Sequence, residues 1–259
     1  MKIRRFRVEK DLIFGSEAVI RDPREIRHLA KVLRLRPGDS VILFDGEGRE
    51  FPAMISRLSP REVSFQFTID PNPPAVESPL RIILGLGLLK ANRLDWVFQK
   101  TTELGVAEVI PFYSTRVIPH LKEEKAEERK SRWEKIAAEA AKQCGRCRIP
   151  QIHSPISFPE LLCRDVGRAM KILVWEGEKK RTLRKDQRNP EGSVFALVGP
   201  EGGFDAEEVA KAQAAGFLPI GLGPRILRAD TAAIAIVTLL QYLWGDLGER
   251  HNQKEGLSP

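Results

Sequence analysis

Apolar and polar residues alternate one by one in "EVSFQFTI" (62–69), the period of a strand with one face on a core. Two further strands precede it, "SVILFDG" (40–46) and "EFPAMISRL" (50–58), joined through Asp45-Gly46, a dipeptide suited to a hairpin turn. Upstream, "DPREIRHLAKVL" (22–33) puts Ile26, Leu29 and Leu33 on one helical face, with Asp22 as cap, Pro23 in the first turn and Glu25 set for a capping box. With the N-terminal strand "IRRFRV" (3–8), this pattern predicts a small β-rich module, a partly closed barrel carrying one helix.

The rhythm changes after "DPNPPAVESP" (70–79), a proline-rich stretch without apolar period that reads as a linker. "LRIILGLGLL" (80–89) is a buried strand. A helix opened by Asn92 follows, with Leu94, Val97, Phe98, Thr101 and Leu104 on one side and Gly105 as its stop. "AEVIPFYS" (107–114) is the next strand. A charged helix then runs from about Glu123 to Gln143, with a stripe of Trp133, Ile136, Ala137, Ala140 and Ala141. A short strand (149–152), a helix opening at Ser157, and the strands "KILVWEG" (171–177) and "SVFALVG" (193–199) continue the alternation. Strand and helix in turn predict an α/β domain, its sheet mainly parallel with helices on both faces. The expected division is 1–72, 73–249 and a flexible tail, 250–259.

Composition narrows the class. No apolar run is long enough to cross a bilayer, and "MKIRRFRVEK" lacks the apolar block of a secretory signal, so a cytoplasmic protein without membrane association is expected. Three cysteines are too few and too odd for a disulfide framework. Cys144 and Cys147 lie close, but no second Cys/His pair completes a zinc set and Cys163, His153 and His120 are scattered; no metal is expected. The formal net charge is +7, and residues 1–36 carry 11 Lys/Arg against 5 Asp/Glu. That surplus fits either a solvated basic face or a polyanionic partner.

Two glycine turns hold the candidate chemistry. "LVGPEGGFDAEE" (197–208) lies between a central strand and a helix for which Asp205 and Glu208 form a capping box. The turn therefore sits at a strand's carboxyl end, where open α/β sheets bind ligands. It lacks the Lys-Ser/Thr of a P-loop and the G-x-G-x-x-G spacing of a dinucleotide site, which leaves a ligand loop or a tight connection. "GLGPRILRADTA" (221–232) repeats the arrangement ahead of a helix apolar on nearly every side, one that must be buried within the domain or against another subunit.

Together, "LVGPEGGF" with its following Glu and "LGPRILRADTA" closely resemble the SPOUT class of knotted methyltransferases. "IRHLAKVLRLRPGD", "KANRLDWVFQKTTELGV" and "RWEKIAAEAAKQCGR" narrow the resemblance to RsmE-type 16S ribosomal RNA uridine N3-methyltransferases, over about residues 4–244. The resemblance implies a PUA-like β-barrel followed by an α/β domain with a deep trefoil knot. It also implies a homodimer, S-adenosyl-L-methionine as cofactor, and the small ribosomal subunit or its 16S rRNA as partner. The alternatives are a related enzyme acting on ribose 2'-oxygen or guanine, and a non-enzymatic RNA-binding assembly protein.

Carried onto this chain, the cofactor falls to Val174, Trp175 and Glu176, to Gly199, Pro200, Glu201, Gly202 and Gly203, and to Leu222, Gly223, Ile226, Leu227, Arg228, Thr231 and Ala232. Arg228, Glu201 and Asp230 are the candidates at the reacting base. Asp230 stands where the family has Glu, shorter by one methylene, which makes capping of the last helix its expected role and proton acceptance the alternative. Lys90, Arg93, Gln143 and Arg146 are candidates for RNA contact, and Arg4, Arg5, Arg7, Arg27, Arg34 and Arg36 for phosphate contact.

Overall fold

A computed structural model describes residues 4–67, 76–115, 123–184 and 191–248. Most of the linker expected at 70–79, His120 and the expected tail lie outside these residues. The chain forms two compact units, and the first is discontinuous: Met1–Glu77 joined by Ala138–Ile149, with Ser78–Ala137 and Pro150–Pro259 forming the second.

The first unit is built on β1 (Arg4–Arg7), β2 (Ile13–Phe14), β3 (Glu17–Ile20), β4 (Ser40–Phe44), β5 (Glu50–Leu58) and β6 (Val63–Phe67), in the order β1-β4-β5-β6-β3-β2. β1 pairs parallel to β4, and the other neighbours are antiparallel. The alternation read in β6 is observed: Val63, Phe65 and Phe67 are buried and join Phe6, Leu29, Leu43 and Ile55 in one core. The hairpin turn is held by buried Asp45, whose carboxylate accepts from the amides of Glu47, Gly48 and Arg49 at 2.8, 3.1 and 3.0 Å. Burial alone would raise its pKa. Bonds from the Arg49 amide and guanidinium and from the Glu47 amide outweigh burial and leave it lowered.

The helix expected over 22–33 is shorter than its pattern. α1 (Pro23–Arg27) starts at Asp22, which accepts from the Arg24 amide at 2.7 Å. It then widens into a π turn, His28–Val32, that places Leu29 in the core and leads to Arg34 at a φ of 54°. Glu25 closes no capping box; it binds Lys142 at 2.9 Å. Residues 138–149 are fastened similarly, with Glu77 accepting from the Cys147 and Arg148 amides at 3.0 and 2.9 Å while pairing with Arg146.

The second unit is a sheet of β7 (Arg81–Gly87), β8 (Glu108–Tyr113), β9 (Gln151–Ile152), β10 (Ile156–Ser157), β11 (Met170–Val174), β12 (Ser193–Val198) and β13 (Leu218–Ile220). The order is β10-β8-β7-β12-β11-β13, with β9 also on β8, and every pairing is parallel. Successive residues Ile82, Ile83 and Leu84 are all buried, as a sheet covered on both faces requires. On one face α4 (Phe158–Leu162) and α5 (Ala206–Ala214) pack on Ile83, Leu173, Phe195 and Leu197. α2 (Ala91–Glu103) packs against α6 (Ala229–Trp244), which itself lies on β7 and β12. α2 is capped at Lys90 without a side-chain bond, so Asn92, the expected opening residue, sits two residues inside. α3 (Glu123–Cys144) stacks Trp133 on Phe98 of α2, ring centroids 4.8 Å apart. The capping box read from the sequence at Asp205 is present, and the helix start expected at Ser157 closes a capping box as well.

α6 is not enclosed. Ala233, Ile236, Val237 and Leu240 are buried, whereas Leu239 and Tyr242 remain 38% and 59% exposed, and Trp96 of α2 is exposed as well. No helix among the described residues is long and apolar enough to cross a membrane.

Candidate active site

Three neighbouring strands end level with one another. Val174 is in register with Val198 on one side and Ile220 on the other. The chain therefore leaves the sheet at three adjacent points on its carboxyl edge, and the three following loops surround a cleft of about 920 Å³. That volume lies within the ~300–1,000 Å³ typical of small-molecule sites.

Close backbone approaches shape the walls. Trp175 N donates to Ile220 O at 3.0 Å and Gly221 N to Arg181 O at 2.8 Å, tying the loop after β11 to the end of β13. Gly221 passes so close to that loop that a Cβ there would stand 2.2 Å from the Glu178 carbonyl oxygen. Gly203, at a φ of 68°, turns the chain where a side chain would meet Glu176 Oε1 at 2.5 Å. The Glu178 carboxylate accepts from the Lys180 and Arg181 amides at 2.8 and 3.0 Å, bonds that hold its pKa below the usual range.

The expected cofactor residues mostly converge here. Val174, Trp175, Glu176, Gly199 to Gly203, Leu222, Gly223, Ile226, Leu227 and Ala232 all line the cleft. Arg228 and Thr231 are not on the lining. Arg228 occupies the N-cap of α6, exposed and flanked by the lining residues Leu227 and Ala229. The capping role expected of Asp230 is therefore not observed: Asp230 lies within the first turn and accepts from the Thr231 amide at 2.8 Å. There its charge complements the positive end of the helix dipole. Glu201 binds Arg93 at 2.9 Å, a pairing 108 residues apart that no local pattern contains.

Several lining residues escaped the sequence reading. Glu178, Lys179 and Thr182 belong to the loop after β11, and their signal was position within a loop rather than residue type. Behind the glycine turn, Glu208 is 2% exposed. Its carboxylate accepts from Ser114 Oγ at 3.2 Å, the Thr115 amide at 3.0 Å and the Asp205 amide at 3.1 Å, so one buried group joins the end of β8 to the start of α5.

Of the RNA-contact candidates, Lys90 is exposed at the start of α2 and Arg93 is half-buried on its first turn. Arg4, Arg7, Arg27, Arg34 and Arg36 are exposed on the first unit, as is Gln143. Two others are structural fasteners. Arg146 is 6% exposed and bound to Glu77, and Arg5 binds Glu50 and the Arg146 carbonyl. Among the described residues, no group of three or more His, Cys, Asp or Glu stands where it could hold a metal. Cys147 is buried, and burial, aided by Glu77, pushes its thiol up to about 12.

Comparison with known proteins extends the picture. Residues 76–241 match an RNA methyltransferase domain and residues 20–68 an RNA methyltransferase PUA domain. The ribosomal RNA small subunit methyltransferase E of Bacillus subtilis (strain 168) is 33% identical over 224 residues, 84% of this chain and 87% of that protein. The protein of that name from Buchnera aphidicola subsp. Acyrthosiphon pisum (strain APS) is 33% identical over 95% of both chains. A crystal structure of a ribosomal RNA small subunit methyltransferase E from Neisseria gonorrhoeae bound to S-adenosyl methionine superimposes with a TM-score of 0.83 at 33% identity, covering 95% of this chain and 100% of that one. A putative methyltransferase from Legionella pneumophila in complex with the bound cofactor SAM gives 0.85 at 32% identity, with the same coverage.

Proposed function

The chain belongs to the ribosomal RNA small subunit methyltransferase E family, and from that premise we propose that it methylates N3 of a uridine in the 16S rRNA of the small ribosomal subunit. It is an rRNA methyltransferase with S-adenosylmethionine as cofactor. The observation that carries the reading onto this molecule is the convergence of three loops at the level carboxyl ends of β11, β12 and β13.

The residues fit the cofactor. Glycine turns with no room for a side chain at Gly203 and Gly221 bring peptide groups to the cleft wall, where amides and carbonyls can bind the polar groups of an adenosine and an amino acid. Trp175, Gly199 to Gly203 and Leu222 to Leu227 would hold it. When bound, it supplies a sulfonium-linked methyl group already activated for transfer. The protein's part is positioning and charge. Uridine N3 carries a weakly acidic proton that must leave, and negative charge then spreads to the uracil carbonyl oxygens. Arg228, at the edge of the cleft, offers a planar guanidinium to that charge. Glu201 and Asp230 are the carboxylates beside the turns that can accept the proton.

Three further features belong to this reading. The close passage of Gly221 beneath the loop after β11 supports a trefoil-knotted backbone. The exposed apolar residues Leu239 and Tyr242 of α6 and Trp96 of α2, a helix packed on α6, support a homodimer. The basic first unit, expected over 1–72 and here completed by Ala138–Ile149, is the RNA-holding module, the second unit, expected over 73–249, the methyltransferase domain, and the site of action cytoplasmic. The test is methyl transfer to 30S particles and to free 16S rRNA, followed by nucleoside digestion. 3-Methyluridine is expected. A 2'-O-methylated nucleoside or a methylguanosine would overturn the base assignment, and absence of both transfer and cofactor binding would favour a non-enzymatic RNA-binding protein.

A further inference from the structure

Two cations on the lining of the large cleft have no part in the chemistry above. Lys179 belongs to the loop after β11 and Arg225 to the loop after β13, and both are exposed. Their loops are fastened to each other. Gly221 N donates to Arg181 O at 2.8 Å, and Gly221 lies so close to the Glu178 carbonyl oxygen that no side chain fits between them. Lys179 follows Glu178 directly and Arg225 comes four residues after Gly221, so both cations flank one rigid backbone junction at the cleft.

Three carboxylates share the lining, and none of them pairs with these cations. Glu178 turns back onto the Lys180 and Arg181 amides at 2.8 and 3.0 Å. Glu201 binds Arg93 at 2.9 Å. Glu176 lies against the glycine turn, its Oε1 2.5 Å from the place that a Gly203 Cβ would take. Among the described residues, neither Lys179 nor Arg225 has an ion-pair partner. An exposed cation on a backbone already tied down is available to an anion that arrives from solvent, and its position there is fixed in advance.

The substrate supplies such an anion. The uracil edge that carries N3 must leave any pairing and turn toward the cofactor inside the cleft. The phosphates of the same nucleotide stay outside and cross the rim. We propose that Lys179 and Arg225 bind the phosphates flanking the methylated uridine, so that the RNA strand crosses the rim over the joined loops after β11 and β13. The glycine turn is the poorer crossing, because Glu201 neutralises Arg93 beside it. Contacts of this kind fix the register of the strand without reading its sequence. The inference rests on the rRNA reading above. The competing anion is the carboxylate of the cofactor itself.

The test is steady-state methyl transfer by the full-length enzyme to 30S particles and to free 16S rRNA across a range of KCl concentrations, with calorimetry of S-adenosylmethionine binding beside it. In the double variant Lys179→Gln/Arg225→Gln, KM for the RNA should rise about tenfold, and the slope of log KM against log salt should fall by about 1.4, two phosphate contacts at ~0.7 each on a single strand. The charge-preserving pair Lys179→Arg/Arg225→Lys should restore both, since a phosphate here is met by charge. Cofactor affinity should match wild type in both variants, because the loop backbone is untouched. An unchanged KM and slope would overturn the proposal. A loss of S-adenosylmethionine affinity would overturn it as well, by giving these side chains to the cofactor's carboxylate. A wild-type enzyme that methylates neither substrate would instead strike the functional reading itself.

Discussion

The two ends of the parallel sheet are built from different materials. At the amino edge, Arg81 and His153 surround Glu108, with His153 Nε2 at 3.1 Å from its carboxylate and Arg164 close to the imidazole. At the carboxyl edge the walls come from three loops turned at glycines, with the Glu201–Arg93 pair beside them. Side-chain ion pairs tie chain segments together and tolerate small shifts. Backbone held at a glycine cannot shift alone, so the edge that must match a ligand is the one whose turns leave no room for a side chain at Gly203 and Gly221.

The contrast can be broken at its strongest point with Gly221→Ala. The new Cβ would meet a backbone oxygen, so we expect cofactor affinity to fall at least about 100-fold in calorimetry, roughly 2.7 kcal/mol, with a lowered Tm. Next comes Glu208→Ala, which removes the buried acceptor shared by the Ser114 hydroxyl and the Thr115 and Asp205 amides. Thermal unfolding should show a loss of about 2–4 kcal/mol, and a Tm equal to wild type would contradict the joining role given to this carboxylate. Arg228→Lys sharpens the catalytic side: kcat should fall by about tenfold to 100-fold while cofactor affinity is retained, because an ammonium lacks the planar fork. A matching loss of cofactor affinity would make Arg228 a binding residue.

The amino edge should answer to acid rather than to ligand. Hydrogen bonding from His153 is the main influence that lowers the Glu108 pKa, against burial and with help from Arg81. A depressed carboxylate stabilises the fold above its ordinary, unfolded pKa, and that contribution is lost as pH falls through the folded value. His153→Ala should therefore flatten the acid-side decline of Tm below about pH 4.5, with methyl transfer near neutrality unchanged. An altered kcat would show that the two edges are not functionally separate.

The legible parts of the molecule were those with local causes. The capping box at Asp205 needs only four consecutive residues, and it and the helix start at Ser157 were both legible. Strand-helix alternation gave the parallel sheet, and glycine spacing gave the loops around the cleft. Long-range pairings were hidden. Nothing near Glu201 announces Arg93, and nothing near Glu25 announces Lys142. Apolar period also overstated regularity: "DPREIRHLAKVL" satisfies a helical pattern, yet Leu29 reaches its core through a π turn. The start of α6 at Ala229 was missed because Asp230, a good cap by residue type, drew the boundary forward.

The return of residues 138–149 to the first unit has a genetic consequence. A fragment ending at codon 77 would encode the six-stranded sheet without Lys142 for Glu25, without Arg146 for Glu77, and without the Ile149 amide that donates to Gly46. Exchanging this module between relatives therefore requires three crossovers, one after Glu77 and one on each side of a 12-residue insert, and a single recombination at the linker would splice together halves from different ancestors.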